Sequence, residues 1–213
     1  MQRLRTSFSR GTELKFLSHL DLMRLWERAS RRAGISLAYS EGFTPHARIS
    51  LAAPLSVGMT SQAELMDIFL SRWMSPNSFV SQVKEQLPRG LTILDIWPIG
   101  LNEPSLQSQV RSIEYKVEIE TDMKAQEVES AIKKLLSAKE IPWHHLRDTG
   151  ARHYDLRPLV DDLWFIELQD SRCTLGMRLR CSSSGAGRPE QVTKALGFSQ
   201  HPRSIHRTRL ILN

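Results

Sequence analysis

The chain has 213 residues, 40% of them hydrophobic and 24% charged, an ordinary globular composition that excludes a disordered or low-complexity protein and allows one large core or two small ones. No apolar run is long enough to span a bilayer, and residues 1–10 alternate basic with apolar types where a signal peptide needs a continuous apolar stretch, so the cytoplasm is the expected location. The formal net charge of +6 favours polyanionic partners such as RNA, DNA or acidic protein surfaces.

In chain order, residues 4–8 alternate as a strand and 10–12 supply a turn. Ser18 or Asp21 then caps a helix over 19–33, where Leu22, Leu25, Trp26, Ala29 and Ala33 recur at helical spacing and Gly34 ends the pattern. Residues 36–39 and 48–54 read as two strands of a hairpin around a turn-rich loop, 40–46, and 63–70 reads as a further strand. Ser75-Pro76 starts a helix running to about Leu87, and 91–96 closes the half as a strand. Prolines, a glycine and polar residues between 98 and 112 read as a linker.

The same order then repeats. Residues 113–120 form a strand, 124–138 a helix and 144–155 a less regular strand. A hairpin over 164–168 and 175–180, a helix over 189–196 and a strand over 205–212 follow. The expected fold class is therefore α+β: two tandem ferredoxin-like (βαββαβ) units with antiparallel sheets and both helices on one face, the other face open to a ligand or partner. The expected domains are 1–98 and 113–213, with 99–112 between them. The halves share element order, not sequence.

Arg24, Arg28, Arg31 and Arg32 lie on the polar side of the first helix, where four guanidinium groups can engage several phosphates or simply form a solvated face, with Glu27 placed to pair with Arg31. The loop that follows combines Tyr39, Phe43, His46 and Arg48. Its aromatics suit stacking on unpaired bases, Arg48 suits phosphate, and His46 suits hydrogen bonding near neutral pH; the alternative is that Phe43 and Pro45 plug the sheet end. Together these eight residues are the expected nucleic-acid-binding set.

Other constellations are weaker. His19, Asp21 and His46 are the only candidates for general acid–base work, and His19 and Asp21, two apart on a helix, do not face one another. Gly185, Gly187 and Arg188, in the run 182–189, offer backbone N–H groups to a phosphate, but lack the Lys-Ser/Thr ending of a nucleotide-binding loop. His144, His145 and His153 gather near Trp143 and Tyr154, with Asp148 and Asp155 as the nearby carboxylates and no donor set at metal-ligand spacing. Cys173 and Cys181 have no second pair and read as reduced thiols. No metal or other cofactor is expected.

Several stretches share the look of one family: Phe16-Leu-Ser-His-Leu-Asp21, Arg31-Arg-Ala-Gly34, Ala38-Tyr-Ser-Glu-Gly-Phe43, Pro45-His46, Arg48-Ile-Ser50, Pro54-Leu55 and Asp155-Leu-Arg-Pro-Leu-Val160. Together they resemble the radical-SAM-linked family of bacteria, whose members stand alone or are joined to the C-terminus of a cobalamin-binding radical SAM protein. Ala47 departs from the Pro-His-Pro-Arg type of loop in that family. The resemblance implies a radical SAM protein as partner. An iron–sulfur cluster of that kind needs three closely spaced cysteines and this chain has two, so the chain would serve as the accessory. The tandem order also resembles CRISPR repeat-processing endoribonucleases, at the level of fold alone. The expected function is a non-catalytic accessory or RNA-binding module. An RNA-processing or RNA-modifying enzyme using His46 or His19, and a purely protein-docking subunit, are the alternatives.

Overall fold

The computed structural model describes residues 1–147, 150–182 and 185–213, with backbone only over 145–147 and 150–152. It is a mixed α+β protein of mostly antiparallel strands and few helices, which divides into two compact units, Met1–Val110 with Asn213, and Arg111–Leu212.

The first unit runs β1 (Gln2–Arg10), α1 (His19–Arg32), β2 (Ile49–Leu51), β3 (Thr60–Leu70), α2 (Pro76–Lys84), β4 (Leu91–Ile99) and α3 (Leu106–Gln109). β1 pairs antiparallel with both β3 and β4, and β2 pairs antiparallel with the far side of β3, so the strands lie in the order β4-β1-β3-β2. Leu4 and Phe8 of β1, Met66, Ile68 and Leu70 of β3, Leu22, Trp26 and Ala29 of α1, and Phe79 and Val83 of α2 form one buried core. Both helices therefore cover the same sheet face. The Phe8 and Trp26 rings meet edge to face at 5.2 Å, which ties α1 to the central strand.

Of the two expected caps, Ser18 holds the N-terminus of α1: its hydroxyl accepts from the Asp21 N–H at 3.2 Å and donates to the Asp21 carboxylate at 2.6 Å. Arg10, almost fully buried, donates to the carbonyls of Leu14, Lys15 and Leu17 and so fixes the approach to that cap.

Three expectations for the first unit change. Residues 36–39 meet 46–48 as a hairpin would, but only through an isolated antiparallel bridge and not as a regular strand. Leu37 bridges Leu70, Ala38 donates to Phe69 O at 2.8 Å and accepts from Arg48 N at 2.8 Å, and Tyr39 bridges Ala47, so the segment lies antiparallel first to the end of β3 and then to residues 46–48, and the regular strand that follows is only Ile49–Leu51. The second helix ends at Lys84 because residues 85–87 turn toward Pro88. The outer face of β1 and β3 is not open: Arg3 and Arg5 are buried there around a fully buried Asp67, at 2.6 Å and 2.7 Å. Further guanidinium N–H groups go to Glu103 O, Pro104 O and Gln109 Oε1. Residues 99–112 thus begin at the end of β4, pass over this cluster as α3 and enter β5 (Val110–Glu120).

In the second unit β5 leads to α4 (Ala125–Ser137), β6 (Pro142–Arg147) and β7 (Gly150–Asp155), which pair as a separate hairpin. Then come β8 (Val160–Gln169), β9 (Arg172–Ser182), β10 (Gly185–Ala186), α5 (Pro189–Ala195) and β11 (Ser204–Leu212). β9 pairs antiparallel with β5 and β8, and β5 neighbours β11, giving the order β8-β9-β5-β11 with β10 extending the β8 side of β9. Val117 and Ile119 of β5, Val128 and Ile132 of α4, Leu175 and Met177 of β9 and Val192 of α5 are buried. Asp155-Leu-Arg-Pro-Leu-Val160 is a structural clasp. Asp155 accepts from the N–H groups of Ile141 and Arg157, Leu156 is fully buried, and the Arg157 guanidinium caps Leu136 O at the end of α4 and reaches Val160 O. Among the described residues no helix is long and apolar enough to cross a membrane.

Candidate functional site

Because α1 buries Leu22, Trp26 and Ala29, helical geometry turns Arg24, Arg28, Arg31 and Arg32 outward, and all four are exposed. Arg24 lies 3.7 Å from Asp21, and Arg32 donates to Gln86 O at 2.8 Å. Among the described residues Arg28, Arg31 and Arg32 have no ion-pair partner. The expected Glu27–Arg31 pair does not form, because the Tyr39 hydroxyl donates to Glu27 Oε1 at 3.4 Å and holds that carboxylate toward the loop. Burial, with the Glu27 charge beside it, raises the Tyr39 hydroxyl above its ordinary range. The Ser18 hydroxyl, helped by the charges of Arg24 and Arg28, holds Asp21 below the usual carboxylate range.

Two clefts flank α1, each of about 400 Å³. One lies between α1 and the loop ahead of β2, lined by Leu20, Met23, Arg24 and Glu27 on the helix and His46, Ala47 and Ile49 opposite. The other lies toward the α2–β4 turn, lined by Leu17, Asp21, Arg24, Leu25, Arg28, Arg32 and Pro88. Arg24 belongs to both.

The loop is pinned at its base. Ser40 N donates to His46 O at 2.9 Å, His46 N donates to Ser40 Oγ at 3.0 Å, and Tyr39 bridges Ala47. Gly42, at φ +117, sits in a conformation that side-chain-bearing residues rarely adopt, and the next residue, Phe43, is fully exposed. Phe43 is thus held out into solvent rather than plugging the sheet end.

The structure brings Arg24, Arg28, Arg31, Arg32, Tyr39 and His46 onto or against α1 and sets Arg48 apart. Its guanidinium stacks over Phe69 at 4.3 Å, its neighbours Ala47 and Ile49 face the cleft, and Arg48 itself is exposed on the other side of the segment. His19 lines neither cleft. Its Nδ1 is buried without a hydrogen-bond partner, and Asp21 is engaged by Ser18 and Arg24 instead. Sequence reasoning did not single out Leu20, Met23 or Ile49 as cleft walls. Leu20 and Met23 fall outside the buried stripe of α1, and Leu20 is exposed, so apolar residues off the stripe were the available signal.

The remaining sequence candidates lie in the second unit. The Gly187 N–H donates to Arg180 O at 2.9 Å and Gly185 pairs with Ser182, so the Gly187 amide is engaged by β9. Arg188 is exposed ahead of the short α5; Ser183 and Ser184 lie outside the described residues. The His144 and His153 rings meet at 4.3 Å, while Asp148 and the His145 side chain lie outside the described residues. Tyr154 donates to Gln191 and Asp155 belongs to the clasp above. Among the described residues no three His, Cys, Asp or Glu side chains converge as a metal site. Burial raises the Cys173 thiol to about 11 and also raises Cys181, against the opposing charge of Arg207; both are free thiols. In Asp161 burial acts upward, but hydrogen bonds from Ser112 and Arg180 outweigh it and hold the carboxyl low.

Similar folds occur in solved structures. A chain from the crystal structure of a Cbf5-Nop10-Gar1 complex matches with a TM-score of 0.51 and 10% identity over 98% of this chain and 48% of its own length. A chain from an H/ACA RNP bound to a substrate RNA containing 2'-deoxyuridine matches with a TM-score of 0.50 and 12% identity over 98% and 47%. This chain thus spans about half the length of these two solved chains, and the likeness is one of fold. No curated protein matches the sequence. The model of one family covers residues 3–189, and on that match the chain belongs to the family described as an uncharacterized protein conserved in bacteria, DUF2344.

Proposed function

We propose that this chain is a non-catalytic RNA-binding accessory module built from two ferredoxin-like units. The strand orders β4-β1-β3-β2 and β11-β5-β9-β8, each with two helices between strands, support that architecture. The observation that carries the RNA reading is the outward face of α1: four exposed arginines, three of them without an ion-pair partner among the described residues, beside a pinned loop that presents Phe43 and His46. A fold shared with a chain from an assembly bound to a substrate RNA is in keeping with it. The partner in this reading is a cobalamin-type radical SAM enzyme, which enters from the sequence resemblance alone.

Fluorescence anisotropy with labelled RNA over a salt series tests the binding. Replacing Arg28 and Arg31 by glutamate is expected to weaken RNA binding and to flatten the log–log salt dependence by about 0.7 to 0.9 for each phosphate contact removed. Unchanged affinity and slope in that variant would remove the α1 face as the binding surface. Retention of a radical SAM protein on the immobilised chain after RNase treatment tests the partner separately.

A further inference from the structure

We propose that the two clefts beside α1 form one track for an unpaired nucleic-acid strand, its phosphates along Arg24, Arg28 and Arg32 and a base stacked on Phe43. This rests on the RNA-binding reading above and adds to it the strandedness of the ligand.

The arginine stripe carries the first half of the argument. Arg24, Arg28 and Arg32 follow one another at four-residue intervals and line a single cleft, so their Cα atoms rise about 6 Å apart along the helix. That is the scale of the separation between neighbouring phosphates on one strand. Arg32 keeps N–H groups beyond the one given to Gln86 O, and Arg28 has none committed to a carboxylate. The two carboxylates nearby already have donors, Asp21 the Ser18 hydroxyl and Arg24, and Glu27 the Tyr39 hydroxyl, which leaves Arg28 and Arg32 clear of both. Leu17, Leu25 and Pro88 supply apolar walls against which sugars and bases can lie.

Phe43 carries the second half. The loop is tied at its neck by the Ser40–His46 hydrogen bonds and fastened to α1 through Tyr39 and Glu27, yet its tip extends a fully exposed phenyl ring. Preorganising an aromatic ring in water favours a partner that brings its own flat face. In a duplex the base faces are already occupied by stacking, whereas an unpaired base offers one, and stacking of this kind tolerates any sequence. The cleft lined by Arg24 and His46 adjoins the loop and shares Arg24 with the stripe, so one strand can pass from ring to phosphates without leaving α1.

The test is anisotropy with three fluorescein-labelled probes: an oligouridylate, the matching DNA strand and an RNA duplex. The expected result is tighter binding of the strands than of the duplex. Phe43→Ala should weaken strand binding about tenfold while leaving the salt slope and duplex affinity unchanged, and Phe43→Trp should restore it. Arg28→Glu with Arg32→Glu should flatten the slope instead. Preference for the RNA or the DNA strand assigns the source of the ligand, and either supports the track. Because the Phe43 ring touches nothing in the fold, its truncation leaves the protein folded, which a thermal melt verifies. Equal binding of strand and duplex with a neutral Phe43→Ala would overturn the track and leave RNA binding standing. Absence of binding to all three probes at low salt would instead overturn the RNA-binding reading on which it rests.

Discussion

A single arginine letter covers two opposite roles here. Arg3 and Arg5 are buried around the fully buried Asp67, Arg10 is spent on three carbonyls, and Arg24, Arg28, Arg31 and Arg32 face solvent. The difference is set by partners 62 and 64 residues away in sequence, which is why the basic N-terminus reads as alternating charge and not as an ion cluster. Removing the charge of Asp67 leaves two guanidinium groups buried against a neutral side chain. Asp67→Asn is therefore expected to destabilise the protein by about 3–5 kcal/mol, the usual loss when one partner of a buried pair is removed. Urea denaturation followed by circular dichroism measures it, and a change under 1 kcal/mol would show that the surrounding carbonyls suffice.

Among the elements, α1 was the most legible. Its apolar spacing, its Ser18 cap and the glycine after it are local signals, and the helix forms over His19–Arg32 as they require. The cap links local sequence to the proposed site, because Ser18 both receives the Asp21 N–H and occupies the Asp21 carboxylate. Ser18→Ala should lower stability by about 1 kcal/mol, read as a drop in the thermal midpoint, while Ser18→Asp retains most of it. By contrast the pairing of residues 36–39 with the end of β3 was not legible. A short stretch such as Ser36-Leu-Ala-Tyr39 looks the same whichever strand it pairs with, and only the bridge of Leu37 to Leu70 identifies β3. The opposition of His46 and Ala47 to Leu20 and Met23 likewise depends on tertiary placement that spacing does not encode.

For the whole molecule the question is whether affinity for a polyanion follows net charge or its placement. The net charge of +6 counts the buried Arg3 and Arg5 equally with the exposed arginines of α1, although burial and pairing with Asp67 remove much of their reach into solvent. Lys133 and Lys134 on α4 are exposed in the other unit and offer a matched control. Reversing both to glutamate changes net charge as much as reversing Arg28 and Arg31. RNA affinity is expected to fall slightly with the lysine pair and steeply with the arginine pair in the same anisotropy assay; equal losses would mean that the field of the whole protein, not the α1 face, governs binding. The pinned loop has one more consequence. An aromatic residue at the tip of an exposed loop is where chymotrypsin cuts a folded chain first, and the tied neck at Ser40 and His46 would keep the two sides of a nick at Phe43 together. A ligand lying on that ring shields the bond, so the rate of a single proteolytic cut reports how much of the protein is occupied, with no label on either partner.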